Sequence, residues 1–188
     1  MSQSAAANYH ERWMSVGVVL AATAVAALSA RDYAGGWNDG SRLATVEALV
    51  DQRTLAIDDT IFIRTPQTAQ ATPNPYDPRS DALNREGTKD KLLIDGRFYS
   101  DKSPLPAVLM AGWYLLLQST TGLVAHERPR LFCYWMTLGS SGLAYVVSIW
   151  STYQVSRSLG LAVRLRLLLA ASFGLATIAL PYARHVNN

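Results

Sequence analysis

Apolar positions gather in blocks near the N-terminus and through the second half of the chain, whereas most charges crowd between Arg31 and Lys102. A bilayer imposes such segregation, because about 20 apolar residues are needed to cross roughly 30 Å of hydrocarbon. The first block, Trp13 to Ala30, follows a short polar leader carrying Arg12 and predicts a transmembrane helix. A cleaved signal peptide is the rival reading; the apolar blocks downstream favour a retained anchor. With Arg12 on the cytoplasmic side, the segment from Arg31 onwards is extracytoplasmic. Leu131 to about Val155 and about Leu167 to Ala183 predict further spans, with Arg157, Arg164 and Arg166 between them. Leu105 to Val124 is long enough to cross, but Gln118, Ser119, Thr120 and Thr121 dilute its second half. If it crossed, the three arginines would face outside, so the positive-inside bias favours an interfacial or re-entrant helix. The expected fold class is an α-helical membrane protein with three transmembrane helices (four if 105–124 crosses). Its large extracytoplasmic loop carries interfacial amphipathic helices and a short β-hairpin. Three segments follow: a leader and first span over 1–30, the loop over 31–130, and spans joined by a basic cytoplasmic loop over 131–188.

Within the loop, Leu43, Val46, Leu49 and Val50 fall at helical spacing and predict an amphipathic helix over Ser41 to Gln52. It is expected along the membrane surface, with Arg42, Glu47 and Asp51 towards water or a cavity. Pro66 to Arg85 is polar, Pro-rich and aperiodic, and reads as a loop. Leu92-Leu93-Ile94 and Arg97-Phe98-Tyr99 flank Asp95-Gly96, a strong hairpin signal.

Composition removes several function classes. The modest excess of Lys and Arg, with an isoelectric point near 9.1, does not mark a nucleic-acid binder, because the basic residues are scattered among acids and form no stripe. The single cysteine, Cys133, allows no intrachain disulfide, and no Cys/His set with metal-ligand spacing is present.

Two polar clusters then carry chemistry. Asn38-Asp39-Gly40-Ser41-Arg42 opens the loop just after the first span, and Tyr99-Ser100-Asp101-Lys102-Ser103-Pro104-Leu105 closes it at the start of an apolar helix. In order and spacing the chain resembles the GT-C superfamily of polytopic glycosyltransferases, closest to the protein O-mannosyltransferase and aminoarabinose-transferase group. Asp39-Gly40-Ser41-Arg42-Leu43-Ala44 is similar to the family's Asp-Glu-x-Arg-Tyr-Ala stretch, and the second cluster to its Lys-Pro-Pro-Leu stretch. Glu127-Arg128-Pro129-Arg130-Leu131 is similar to the Arg-Leu that opens the next span in many members. Gly40 stands where the family has a second acid, and Ser103 where it has a proline.

The resemblance implies transfer of a sugar from a polyprenyl-phosphate donor to an acceptor on the outer face, with inversion at the anomeric carbon. It also implies that this chain is the N-terminal part of a longer protein whose remaining transmembrane helices complete the site, in the cell (inner) membrane. Asp39 is the candidate base for the acceptor hydroxyl; the plainer reading is a helix cap near Ser41. Lys102 and Arg42 are candidates for the donor phosphate, with Asp101 and Tyr99 beside them as substrate-binding residues. Lys102 would otherwise snorkel to membrane lipid headgroups. A divalent metal ion is the one possible cofactor, and Asp58-Asp59 is an acidic pair that could meet it; adjacent loop carboxylates are otherwise simply exposed. Trp37, Phe98, Tyr99, Trp113 and Tyr114 fit an interfacial belt without catalysis. His185, next to Arg184 at the outer end of the last block, reads as structural. The alternative class is a non-catalytic membrane protein whose outer loop binds a lipid or protein partner.

Overall fold

The computed structural model describes residues 3–63 and 74–186. The first part of the aperiodic segment, residues 66–73, lies outside them. The contacts divide the chain into two units, Met1–Ala30 with Ser141–Arg184, and Arg31–Ser140 with His185–Asn188.

The first unit is helical: α1 (Gln3–Ser29), α6 (Leu143–Ser158), α7 (Val163–Ala176) and α8 (Ala179–Ala183). Helix α6 packs against both α1 and α7. Small residues allow the close approach: Ala22, Ala26 and Ala170 are buried, and the Tyr145 hydroxyl donates to the Gly174 carbonyl at 3.2 Å. At one end the Glu11 carboxylate meets Arg157 at 2.9 Å and Arg166 at 3.1 Å. Leu20, Leu28, Leu168 and Leu175 are exposed, an apolar exterior of the kind that marks a membrane or protein contact.

Among the described residues two helical runs are long and apolar enough to cross a membrane, Glu11–Ser29 and Pro129–Ser158. The second contains one turn of π-helix, Leu138–Gly142, between α5 (Pro129–Thr137) and α6. The expected last span is not continuous. Helix α7 stops at Ala176 and α8 restarts at Ala179. Pro181 accounts for the break, because its ring clashes with the carbonyl four residues earlier and cannot supply the N–H that would bond it. That carbonyl belongs to Thr177, whose backbone is extended and whose hydroxyl accepts the Ala179 N–H at 3.1 Å instead.

The second unit contains α2 (Trp37–Glu47), α3 (Asp81–Glu86), the strands β1 (Lys91–Ile94) and β2 (Arg97–Ser100), α4 (Pro104–Thr121) and α5. The hairpin forms as the sequence predicts, antiparallel with Leu92 opposite Tyr99 and Ile94 opposite Arg97. Both turn residues, Asp95 and Gly96, have positive φ (49° and 80°), as a two-residue type I′ connection requires. Leu43, Val46, Ile57, Phe62, Tyr76, Tyr114 and Phe132 belong to one core cluster. Its aromatic rings meet edge to face, Phe62 with Tyr76 and Tyr114 with Phe132.

Helix α2 departs from expectation in two ways. It begins at Trp37, four residues before Ser41, and continues as a π-helical turn over Ala48–Gln52. It is also buried along its length: every residue from Asp39 to Glu47 is inside, Arg42 and Glu47 included. The helix packs against α4 and β2, so Arg42 and Glu47, expected towards water or a cavity, meet protein, whereas Asp51 is exposed as expected. The polar groups on it are accordingly partnered. Thr45 donates to the Ser41 carbonyl at 3.0 Å and Glu47 Oε2 accepts the Ile61 N–H at 3.1 Å. The Asp51 carboxylate accepts from Tyr114 and Gln118, each at 2.9 Å. Tyr114, expected in an interfacial belt, is instead a core residue whose hydroxyl also accepts the Ala125 N–H at 2.8 Å. Trp113 is half-buried and donates to the Trp135 carbonyl at 3.0 Å.

The same packing leaves no room for a side chain at Gly40. A Cβ there would overlap the Tyr76 ring and hydroxyl, and Tyr76 is fixed by its own 2.7 Å bond to the Phe62 carbonyl. Gly40→Ala should therefore destabilise the fold by about 1–3 kcal/mol through overpacking. Thermal unfolding of the detergent-solubilised protein reads this as a lower midpoint; an unchanged midpoint would contradict the Tyr76 contact.

Glu47 makes a second prediction. Burial lifts its carboxyl from 4.5 to about 8; the Ile61 N–H opposes that rise and the Asp51 charge adds to it. A carboxyl that holds its proton more tightly when folded favours folding most below its unfolded value. Stability should thus fall as pH rises from 4.5 to about 8 and level off above. Glu47→Gln keeps an acceptor for the Ile61 N–H without the charge, so it should flatten this dependence and raise the unfolding midpoint at pH 8.

Candidate active site

Helix α2 starts on a pair of glycines. Gly36 is the residue before its first turn, extended and without a side-chain cap, and the first helical bond runs from Gly40 N–H to Gly36 O at 3.1 Å. The N–H groups of residues 37–39 consequently have no acceptor within the helix. Asp39, in this first turn, turns one carboxylate oxygen back to the Gly35 N–H at 2.9 Å. This resembles the reciprocal half of a capping box, so the capping role belongs to a helix that starts earlier than the sequence implied. Burial lifts the Asp39 carboxyl from 3.8 to about 6, while the Gly35 N–H and the Arg42 charge pull it down.

The strand pair brings the second cluster to the same place. Thr88 donates to the Trp37 carbonyl at 2.7 Å, and Ser41 donates to the Asp90 carbonyl at 2.6 Å. The single hydroxyl hydrogen of Ser41 is thereby used, so in the 2.6 Å contact between Ser41 and Ser100 the Ser100 hydroxyl is the donor. Ser100 Oγ in turn accepts the Lys102 N–H at 3.2 Å. Lys102 Nζ is then held between Asp90 Oδ2 at 3.1 Å and Asp101 at 3.2 Å.

These groups enclose an open polar cavity of about 500 Å³ lined by Gly35, Gly36, Trp37, Asn38, Asp39, Asp90, Lys102 and His185. Of the candidate catalytic and substrate-binding residues, Asp39 and Lys102 meet here. Asp101 takes part through its bond to Lys102. Arg42 is buried one turn beyond Asp39 and acts on it through its charge, but is not in the cavity wall. Tyr99 is half-buried, paired with Leu92 and bridged to Ala56, and also lies outside the wall.

Asp58, of the acidic pair considered above, binds backbone. Both its oxygens lie within reach of the Phe98 N–H, at 3.0 and 3.1 Å, which ties its loop to β2; Asp59 is exposed. Among the described residues no group of three or more His, Cys, Asp or Glu converges as a metal set.

Sequence reasoning did not single out Asp90, and it read His185 as structural. Asp90 lies in a Lys-Asp-Lys run that reads as solvated charge, and no local signal distinguishes it. His185 had a usable signal, its place on the presumed outer face. It lines the cavity with Nδ1 at 3.8 Å from Asp39 Oδ2.

Chemically, the cavity offers a carboxylate poised to exchange a proton near neutral pH, a fixed ammonium, and backbone N–H groups at a helix start, where negative charge is favoured. No protein-family model matches the chain, and no curated protein or solved structure matches it.

Proposed function

We propose that this chain is the N-terminal part of a membrane glycosyltransferase that moves a sugar from a polyprenyl-phosphate donor to an acceptor on the extracytoplasmic face. The observation that carries the reading is the convergence of Asp39 and Lys102, from opposite ends of the loop, on one polar cavity. In this reading the N-terminus is cytoplasmic, the loop is extracytoplasmic, and further transmembrane helices of a longer protein complete the groove for the lipid. The two apolar helical runs support membrane association.

In the proposed reaction the Asp39 carboxylate takes the proton of the acceptor hydroxyl as its oxygen bonds to the anomeric carbon. The bond from that carbon to the phosphate oxygen breaks, and its electron pair leaves with the polyprenyl phosphate. Lys102 meets the charge that develops there, together with the first-turn N–H groups of α2. Arg42 lowers the Asp39 pKa through its charge and so keeps more of the carboxyl ionised. Asp90 and Asp101 fix the position of the Lys102 ammonium. The resemblance allows a divalent ion, which no step here requires.

One observation favours the alternative, an outer loop that binds a lipid or protein partner. Leu92, Leu93 and Ile94 are each at least half exposed, at 51%, 65% and 50%.

Transfer assays on the full-length protein in proteoliposomes separate the two. Asp39→Asn should lower kcat by about 10²- to 10⁴-fold. Lys102→Met should lower kcat/KM for the donor by about 10²- to 10³-fold. The wild-type rate should rise with pH through about 6 as Asp39 ionises and then plateau. Transfer at the wild-type rate by both variants would leave the binding reading standing.

A further inference from the structure

His185 belongs to the same cavity and is the titratable side chain that faces the proposed base. Its Nδ1 lies 3.8 Å from the Asp39 oxygen that accepts the Gly35 N–H. This is longer than a hydrogen bond, and catalytic hydrogen bonds commonly tighten only when substrate binds. The two side chains differ in access: that of Asp39 is 9% exposed and that of His185 is 30% exposed. Asp39 is therefore the less accessible of the two, and the imidazole borders its carboxylate on the more exposed side.

Gly35 makes the arrangement possible. A Cβ at this position would lie 2.5 Å from His185 Nδ1, 2.6 Å from its Cε1 and 3.3 Å from Asp39 Oδ2. The ring thus rests against bare backbone, with the Tyr33 ring 6.1 Å away and tilted. Asp39, Asp90 and Lys102 face it within the cavity. Burial and the Arg31 charge hold the imidazole below its ordinary pKa, with Asp77 opposing, so it is a neutral acceptor near pH 7.

We propose that His185 is the proton exit for Asp39, a positioning residue that restores the base after each transfer. The proposal rests on Asp39 being that base. The acceptor proton passes from the Asp39 carboxyl to Nδ1 of the neutral imidazole, which returns Asp39 to carboxylate. The resulting imidazolium then gives up a proton to water at the cavity mouth.

The first test needs no substrate. With the full chain in lipid nanodiscs, NMR titration of ¹⁵N-labelled histidine should show Asp39→Asn lowering the His185 pKa by about one pH unit, since an opposite charge within about 4–6 Å has that effect. Gly35→Ala, which displaces the ring while keeping both groups, should weaken this coupling. A His185 pKa unmoved by Asp39→Asn would overturn the proposal. The second test uses the full-length protein in proteoliposomes with decaprenyl-phosphate-linked mannose as the probe donor. His185→Ala should lower kcat by about tenfold with the donor KM unchanged, and added imidazole should restore it, whereas Asp39→Asn should gain nothing from imidazole. Full turnover by His185→Ala beside an inactive Asp39→Asn would overturn the relay alone. Transfer at the wild-type rate by Asp39→Asn would instead remove the base assignment on which the relay rests.

Discussion

A chain of three hydrogen bonds holds the candidate site together: Lys102 N–H to Ser100 Oγ, Ser100 O–H to Ser41 Oγ, and Ser41 O–H to the Asp90 carbonyl. Ser41 lies two residues after Asp39, and Ser100 two residues before Lys102. The hydroxyl pair therefore sets the distance between the base candidate on α2 and the cation candidate beyond β2. Ser41 is fully buried, so neither water nor a rotated hydroxyl can replace its partners without cost. Leaving one buried donor or acceptor unmatched costs about 1–3 kcal/mol, which makes the register between α2 and the hairpin specific.

The second constraint is the burial of α2 itself. A helix carrying Asp39, Ser41, Arg42, Thr45 and Glu47 would ordinarily present those residues to solvent; here all of them are inside. The cost of desolvation shows in the raised pKa values of Asp39 and Glu47, for each of which burial is the leading cause. The two carboxyls diverge because their surroundings differ. Asp39 has the Arg42 charge close by and stays near 6, within working range of a base at neutral pH, whereas Glu47 has the Asp51 charge nearby and rises to about 8. Glu47 is thus suited to bracing the 54–63 loop, and Asp39 to exchanging protons.

The legibility of this chain follows the range of the forces involved. The hairpin was readable because Asp95-Gly96 encodes its own turn geometry, and the first apolar run because length alone identifies it. The break in the last apolar block was written in Pro181, a local signal outweighed by overall hydropathy. Three features were not readable: the early start of α2, its burial, and the place of Tyr114 in the core. Each depends on which segment packs on which, and a helical period gives the same pattern whether its polar face meets water or protein. Asp39 and Lys102 could be nominated from their motifs. Asp90 could not, since only the Ser41 bond to its carbonyl and its grip on Lys102 distinguish it from the lysines on either side.

The charge balance of the cavity also bears on what it could accept. Lys102 is the cation in the wall, and it is already shared by Asp90 and Asp101. An arriving phosphate must therefore replace a carboxylate rather than meet an idle ammonium. Asp101 is the natural one to yield: it is the more exposed of the two partners, at 32% against 23%, so its released carboxylate regains water at the lower cost. Asp90 is anchored through its own carbonyl to Ser41 and in the proposed reaction would keep hold of Lys102. In the proposed reaction a singly charged phosphodiester restores the balance that Asp101 had supplied, beside the N–H groups at the start of α2, where negative charge is favoured. On the proposed function, that ligand is the lipid-linked phosphodiester of the donor.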